Sequence, residues 1–586
     1  MANYEIKDGV GIIPKSAKKI KNRGFENCTD LTSVVIPEGV TGIGEEAFDG
    51  CANLTSVVIP EGVTEIGGRA FACCGLTSVV IPEGVTEIGK CAFSGCTNLT
   101  SVVIPKSVTE IREYAFRGCT GLTSVVIPEG VTRIDDYTFD GCTALTSVVI
   151  PKSVTKIGNQ AFYNCTALTS VVIPEGVTEI GEKAFNGCSA LTSVVIPAGV
   201  TKIGGGAFSG CSALTSVVIP EGVTEIGRNA FCDCAGLTSV VIPEGVTRIE
   251  HYAFSDCTAL TSVVIPKGVT MIGTRAFNGC SALTSVVIPE GVTKIEDYAF
   301  YNCTSLTSVA IPAGVTEIEC ETFAGCTNLT SVVIPEGVTM IESAAFVNCT
   351  ALTSIVIPEG VTEIGRDAFA LCAGLTSVVI PESVTKIGSG AFRRCKGLTS
   401  IAVAPGNKVY DSREGCNAII DTLTRTLIQG CTTTILPEGV GRLGAYSFAG
   451  FTNLANINSL LEGVHTIGEG AFADCTGLTN LTIPESVLYV CSRAFCGCTG
   501  LESVVIQNAI ADLDSYRVSL FAGCSNLRSV TLPAGIKKID NSTFRGCDNL
   551  NTINVPAKKA DYYKKRLPEE LHQFIVELAP VKKAKT

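Results

Sequence analysis

Apolar and polar residues alternate in short runs along the chain, and the same run returns at a nearly constant interval. In the repeat that begins at Leu31, the run Ser33, Val34, Val35, Ile36 has the period of two that predicts a β-strand. A proline follows and ends the strand, because proline cannot donate to a ladder. We expect Leu31, Val34 and Ile36 to point inward, and Ser33 and Val35 to point outward.

The second half of the same repeat supplies the remaining inward side chains. Val40 and Ile43 form an apolar pair on a short extended segment, and Ala47, Phe48 and Cys51 are expected to close the coil through one helical or 3₁₀ turn. About eight apolar side chains would then face inward in each coil. A repeat of this size cannot bury its apolar side alone, so copies must stack, which predicts a solenoid.

The repeats divide the chain into five segments. The step is 23 residues from Leu31 to Leu398, except for a step of 22 between Leu54 and Leu76. The pattern then loosens, and an inserted stretch before the next repeat indicates a hairpin that bulges from the solenoid. The predicted segments are an N-terminal cap with an incomplete first repeat (1–30), regular repeats (31–397), an irregular repeat with a hairpin insertion (398–430), irregular repeats (431–556), and a helical C-terminal cap with a basic tail (557–586).

The repeats resemble the BspA-like family of short leucine-rich repeats. The resemblance rests on the strand Leu-Thr-Ser-Val-Val-Ile-Pro, the step Val-Thr-x-Ile-Gly and the closure Ala-Phe-x-x-Cys. It implies a leucine-rich-repeat solenoid, rich in β-structure with short helical or 3₁₀ turns. We expect one continuous curved or straight rod with polar caps. The resemblance also implies a non-enzymatic protein, since many members are surface adhesins that bind host proteins or other cells.

Composition narrows the choice of partner and location. Hydrophobic residues make up 46% and charged residues 17% of 586 residues, which is compatible with a continuous core. The net charge of −12 and the lack of a basic patch outside the two ends argue against nucleic acid. No apolar run is long enough for membrane insertion. The polar start lacks a secretory signal and indicates cytoplasm, whereas the family indicates a cell-surface or secreted protein, so location stays open.

The sequence offers no convincing catalytic, cofactor or metal site. Most of the 29 cysteines share one repeat position, which predicts a ladder of buried, reduced thiols. The cluster Cys491, Cys496 and Cys498 lacks a nearby fourth ligand, so we expect no metal there. The three histidines lie far apart in sequence, and no nucleophile or phosphate-loop motif is present. Cysteines outside the shared position include Cys91, Cys232, Cys320, Cys491 and Cys496.

Two rows of side chains are candidate interaction surfaces. The outward valine of each strand would form an apolar stripe, which is unusual on a soluble monomer unless strand propensity alone explains it. A variable position near the closure carries tyrosines, which are enriched in binding hot spots, although drift at a loop position gives the same variety. A third row, of glutamates after the proline, is more simply a solvated ridge. The candidate residues are Val103, Val126, Val149, Val172, Tyr114, Tyr137, Tyr252 and Tyr298.

These observations favour a non-enzymatic scaffold that binds proteins, with adhesin-like contact to host or cell-surface proteins. One alternative is a structural solenoid that associates with itself, a polymer or ice, and another is an intracellular scaffold. An enzyme would need a site within 398–556. The identity of the partner and the oligomeric state do not follow from the sequence.

Overall fold

The computed structural model describes residues 4–454, 457–508, 519–536, 539 and 542–579. It contains two compact units, unit 1 (Met1–Leu306) and unit 2 (Thr307–Thr586). The chain folds as a leucine-rich-repeat β-solenoid with almost no helix, as the repeat predicted. A regular coil has three parts: a front strand, a two-residue side strand that ends in isoleucine, and a turn segment that closes the coil.

The front strands of unit 1 stack in parallel with a register of 23 residues, for example Ser170 opposite Ser193. A hairpin of Glu5–Lys7 and Val10–Ile12 precedes them and pairs with the first one. The front strands are Ser33–Val34, Ser78–Val80, Ser101–Val103, Ser124–Val126, Ser147–Val149, Ser170–Val172, Ser193–Val195, Ser216–Val218, Ser239–Val241 and Ser262–Val264.

The side strands of unit 1 form a second parallel row, in which each isoleucine lies opposite that of the next coil. They are Lys19–Ile20, Gly42–Ile43, Glu65–Ile66, Glu87–Ile88, Glu110–Ile111, Arg133–Ile134, Lys156–Ile157, Glu179–Ile180, Lys202–Ile203, Glu225–Ile226, Arg248–Ile249, Met271–Ile272 and Lys294–Ile295.

The turn segment is a series of hydrogen-bonded turns instead of one helical turn. In the coil of Phe116, the amides of Tyr114, Phe116 and Gly118 all donate to carbonyls of the following coil, at 2.6 to 3.2 Å. Tyr114 and Gly118 have φ of 60° and 68°, and these left-handed residues prevent a continuous helix. The repeat pattern gives no sign of this, because the left-handed positions carry many residue types.

The core follows the predicted inward positions. Leu31, Val34, Ile36, Phe48 and the other expected side chains of that repeat are all buried, with 6% exposure at most. The phenylalanines stack coil upon coil, with ring centroids 5.2 to 5.6 Å apart between Phe48 and Phe277. Because each ring contacts the next, the core is continuous within the unit.

Unit 2 repeats the same design less regularly. Its front strands are Ser308–Ala310, Ser331–Val333, Ser377–Ile380, Ser400–Val403, Asn480–Ile483, Ser503–Ile506, Ser529–Thr531 and Thr552–Val555. Its side strands are Glu317–Ile318, Met340–Ile341, Glu363–Ile364, Lys386–Ile387, Arg442–Leu443, Thr466–Ile467 and Tyr489–Val490, and an α-helix spans Ile457–Leu460.

The inserted stretch of unit 2 joins the side strands instead of bulging outward. Ile419–Asp421 pairs antiparallel with Tyr410–Asp411 on one side and with Thr426–Gln429 on the other. Thr426–Gln429 then pairs in parallel with Arg442–Leu443. The reason is burial, since Ile419, Ile420 and Leu427 are fully buried and would face water in a projecting hairpin. A 3₁₀ turn at Arg413–Gly415 precedes the pair.

The last part of unit 2 mixes helix and strand. An α-helix at Ala560–Lys564 and a 3₁₀ helix at Glu569–Phe574 lead into Ile575–Glu577. That strand pairs in parallel with Thr552–Val555, and Tyr563 is fully buried. The sequence predicted a helical cap here, and the structure adds a strand that helical spacing does not show. The predicted basic tail, residues 581–586, lies outside the described residues.

Candidate protein-binding surfaces

The outward valines form a continuous apolar row on the front strands, as the strand pattern predicted. The candidates Val103, Val126, Val149 and Val172 have exposed fractions of 56%, 63%, 57% and 77%. The same position in unit 1 reaches 81% at Val58. In the strand pairs Ser124–Val126 with Ser147–Val149, the valines lie directly opposite each other, so the row has no gap there.

Uncharged residues flank this row. In the front strands of unit 1 from Ser78–Val80 to Ser262–Val264, the first serine is exposed and a threonine precedes it. The Oγ1 of Thr100, Thr123 and Thr146 donates to the threonine carbonyl of the preceding coil, at 3.0 to 3.2 Å. These hydroxyl protons are therefore already used within the solenoid, and the methyl groups of the threonines add to the apolar character of the front surface.

The side strands carry charges that are arranged in pairs between neighbouring coils. Lys156 lies 3.0 Å from Glu179, and Lys202 lies 3.0 Å from Glu225. Both pairs are about half exposed, where each contributes roughly 0–1 kcal/mol to stability. From Lys156 to Glu225 the charges alternate in sign, so this stretch has no single sign that would attract a charged partner strongly.

The predicted tyrosine row lies in the turn segments, where its members occupy the first left-handed position. Tyr114 and Tyr137 belong to successive coils and stack with ring centroids 4.6 Å apart. The Nε2 of Gln160 donates to the hydroxyl of Tyr137 at 2.8 Å. Tyr252 and Tyr298 lie two coils apart, with the guanidinium of Arg275 between them, 5.7 and 4.7 Å from the ring centroids.

Arg275 was not among the residues selected from the sequence, although the sequence contains the signal. Its number lies midway between Tyr252 and Tyr298 in steps of 23, so the three share one position in consecutive coils. A cation between two aromatic faces is a favourable arrangement. The tyrosines are half-buried in these contacts, and the valines are the more exposed of the two candidate sets.

The shared cysteine position is buried, and its thiols bond to the backbone. The Sγ of Cys188 donates to the carbonyl of Phe162 at 3.3 Å, and the same contact recurs in neighbouring coils. Burial raises the pKa of Cys142 and Cys188 to about 12. Such thiols stay protonated at neutral pH and act as small core residues, which is the role that the constant spacing predicted.

One grouping of possible metal ligands was missed in the sequence. Ligand atoms of Cys232, Asp233 and Asp256 all lie within 4.8 Å of one another, and it is the one such group among the described residues. The Sγ of Cys232 donates to Asp233 at 3.4 Å, and burial raises the pKa of Cys232 to about 12. A metal ion binds the thiolate form of cysteine, whereas the raised pKa keeps Cys232 protonated at neutral pH. The contact with Asp233 is therefore best described as a hydrogen bond from a thiol. Cys491, Cys496 and Cys498 form no such group in the described part of the chain.

The three histidines have separate surroundings. In unit 1, the amide of Thr274 donates to Nδ1 of His251 at 3.1 Å and to Glu296 at 3.0 Å. In unit 2, His465 contacts Thr466 and His572 contacts the carbonyl of Leu567.

Within the described residues, no helix has the length and apolar character that a membrane span requires.

Comparison with known proteins identifies the type of repeat. The family model described as BspA type leucine rich repeat region matches in six copies, over residues 18–146, 132–261, 178–307, 247–376, 293–413 and 428–551. Among curated proteins, no relative matches the chain. A leucine-rich repeat protein of Bacteroides ovatus is 27% identical, with a TM-score of 0.39, over 64% of this chain and 82% of its own.

Two further solved structures are similar over most of their length. A leucine rich cell surface protein of Faecalibacterium prausnitzii is 24% identical, with a TM-score of 0.34, over 71% of this chain and 88% of its own. The pneumococcal vaccine antigen PcpA is 19% identical, with a TM-score of 0.39, over 70% of this chain and 94% of its own. The family model covers most of the residues, and the chain therefore belongs to the BspA-type leucine-rich repeat family.

Proposed function

We propose that this repeat scaffold is a non-enzymatic protein that binds protein partners, with adhesin-like contact to host or cell-surface proteins. The valine row of the front strands is the proposed contact surface. The observation that carries the proposal is the exposure of Val103, Val126, Val149 and Val172, each more than half accessible. Contiguous apolar surface of this kind marks interaction sites.

The chemistry of the front surface suits an apolar, uncharged protein surface as the partner. Valine methyl groups lose no hydrogen bonds when they leave water, and the threonine hydroxyls are bonded already. The strands are fixed by pairing in the free protein, so little ordering is needed on binding. Binding should therefore be insensitive to salt, unlike association through the charged side strands.

The test is adhesion of the intact chain to cultured mammalian epithelial cells, with and without prior protease treatment of the cell surface. Val103, Val126, Val149 and Val172 are changed together to Thr, which keeps the shape and the strand propensity. We expect about tenfold weaker adhesion, since each change exposes a hydroxyl that the contact would bury. The matched control changes to Ser the exposed threonine that directly precedes each of four side strands. These threonines are Thr86, Thr109, Thr132 and Thr155.

The outcomes separate the candidate functions. Adhesion that protease abolishes, that salt leaves unchanged and that the valine variant loses would support the proposal. Equal adhesion of the valine variant and the control would overturn it, as would adhesion that survives protease. Self-association of the chain, lost in the valine variant and measured by sedimentation, would instead support a structural solenoid.

The tyrosine row is a second, separate candidate for the contact surface. Its rings are held by stacking at 4.6 Å between Tyr114 and Tyr137 and by Arg275 between Tyr252 and Tyr298. Fixed aromatic side chains lose little entropy on binding. Changing Tyr114 and Tyr137 to Ser in the same assay should weaken adhesion only if this row contacts the partner, and unchanged adhesion would exclude it.

A further inference from the structure

In unit 2 there is a place where two stacked turn segments are not separated by the usual interval of about 23 residues. In regular coils, the amide at the second left-handed position donates to the next coil along the chain, as Leu371 donates to the carbonyl of Arg393 at 2.9 Å. Arg394 is the next residue in this series, and its amide donates to Ala449 at 3.0 Å. The inserted strands lie between them in sequence. Two turn segments more than fifty residues apart thus become neighbours.

Arginines from several turn segments line one cavity at this junction. The cavity has a volume of about 450 Å³, and its lining includes five arginines and two aspartates. The local charge is therefore positive in a chain whose net charge is −12. The arginines are Arg366, Arg393, Arg394, Arg493 and Arg545.

The two aspartates neutralise only part of this charge. Asp367 lies 2.5 Å from Nε of Arg393 and 3.5 Å from Nε of Arg366. Asp474 pairs with Arg394, whose side chain passes over Gly450, a residue without a side chain. Among the described residues, Arg493 and Arg545 have no carboxylate within ion-pair distance, so two guanidinium groups remain available.

Guanidinium groups select their ligand by geometry as well as charge. Each presents a planar fork of donors that bonds two oxygens at once. One carboxylate occupies one fork, whereas a phosphate or sulfate group has three oxygens directed away from its ester bond and accepts from several forks. This cavity has two unpaired arginines and a third that is held by a single aspartate. It therefore suits a phosphate or sulfate group better than a carboxylate.

We propose that this cavity of unit 2 binds a phosphate or sulfate ester group, with Arg493 and Arg545 as its principal donors and Arg394 as the third. Asp474 holds Arg394 in place while the cavity is empty and competes with the ligand for it. The site is independent of the valine row, so it adds a second type of contact to a protein-binding scaffold.

Isothermal titration calorimetry of the full chain tests the site, at low ionic strength and with inorganic phosphate and inorganic sulfate as probes. A sugar phosphate and a sulfated disaccharide then distinguish the two sources of the group. The variant Arg493→Gln with Arg545→Gln should bind about tenfold more weakly, because it loses two charge-assisted contacts. The control, Arg442→Gln with Arg528→Gln, removes the same charge from exposed arginines of unit 2 outside the cavity.

A third variant tests the role assigned to the aspartate. Asp474→Asn removes the competing charge and should strengthen binding several-fold. Binding at millimolar ion that the first variant weakens and the control retains would support the site. No measurable binding by the unchanged protein, or an equal loss in both double variants, would overturn it. Circular dichroism of each variant, compared with that of the unchanged protein, confirms that the chain remains folded.

Discussion

At the scale of single residues, the most unexpected feature is the left-handed backbone of the turn segments. Tyr114, Tyr137, Tyr252 and Ala344 all have φ between 56° and 60°, and they occupy the same position of four different coils. An L-residue in this region is less favourable by about 1–2 kcal/mol than in the right-handed region. The solenoid tolerates this because the amide at that position donates to the next coil, as Ala344 does to Arg366 at 2.8 Å.

Ala344→Gly tests this strain directly. Glycine adopts φ of 56° without penalty, but its unfolded chain gains freedom, so we expect a net stabilisation of about 0.5–1 kcal/mol. The neighbouring change Ala345→Gly is the control, since Ala345 is fully buried and is not among the left-handed residues. We expect Ala345→Gly to lower the free energy of unfolding. Urea unfolding of both variants measures the difference, and a less stable Ala344→Gly would argue against strain at this position.

The buried thiols make stability depend on alkaline pH. Burial raises the pKa of Cys188 from 9.0 to about 12 in the folded chain. The thiol's contribution is complete below pH 9 and is lost as pH rises towards 12, at about 1.4 kcal/mol per pH unit. Cys188→Ala should therefore lose less stability than the unchanged protein between pH 9 and 10, measured as the apparent free energy of unfolding. The control Leu191→Ala removes part of a buried side chain that has no thiol. Its free energy of unfolding should be lower than that of the unchanged protein by the same amount at pH 9 and at pH 10.

At the scale of the coil, the 22-residue step contains a close approach between the backbones of neighbouring coils. Gly75 ends the short coil, and a Cβ placed on it would lie 2.2 Å from the carbonyl oxygen of Ala52. The same approach occurs in a coil of full length, where a Cβ on Gly500 would lie 2.1 Å from the carbonyl oxygen of Thr476. It therefore belongs to this position of the coil, and it leaves no room for a side chain at Gly75.

Gly75→Ala should therefore destabilise the short coil by about 1–3 kcal/mol, because the backbone of Ala52 must move. The control is Gly268→Ala, whose Cβ would meet its nearest neighbour, the carbonyl of Glu244, at 3.4 Å, an ordinary contact. Hydrogen exchange of residues 50–80 is the measurement. If the two variants protected these amides from exchange equally, the short coil would be able to accommodate a side chain at Gly75, which would contradict the prediction.

The coil was predictable from the sequence as far as its side chains follow a period. The inward set of the repeat at Leu31 and the outward Val35 are confirmed by burial, because alternation in a strand fixes the face of each residue. The left-handed positions were not predictable, since Tyr114, Arg275 and Ala344 share a conformation but no chemistry. The arginine cavity was also missed, because its members are brought together by the inserted strands and not by a period.

At the scale of the whole molecule, stability is the sum of contacts between neighbouring coils, because each coil buries its apolar side only against the next. The phenylalanine stack illustrates this: Phe185 is fully buried, 5.2 Å from Phe162 and 5.5 Å from Phe208. A defect in one coil should therefore be felt by its neighbours and fade with distance along the unit.

Phe185→Ala should reduce local stability by about 3–5 kcal/mol, since a large buried ring is lost. Hydrogen exchange should accelerate in the coils that contain Phe162 and Phe208, while the coil of Phe48 keeps its protection. A uniform acceleration throughout unit 1 would mean that the unit unfolds as one cooperative body and would contradict nearest-neighbour stability.

The amides of Tyr114, Phe116 and Gly118 all point towards the following coil, and the same direction recurs at Tyr137 and Phe139. Front strands behave differently, since Thr100 donates to the preceding coil and Ile81 to the following one. Peptide dipoles of about 3.5 D cancel in such strands but add along the turn segments. The turn side of these coils of unit 1 is thus electrically polar, with its positive pole towards the higher-numbered coils, so a charged molecule that approached it would be oriented before any contact formed.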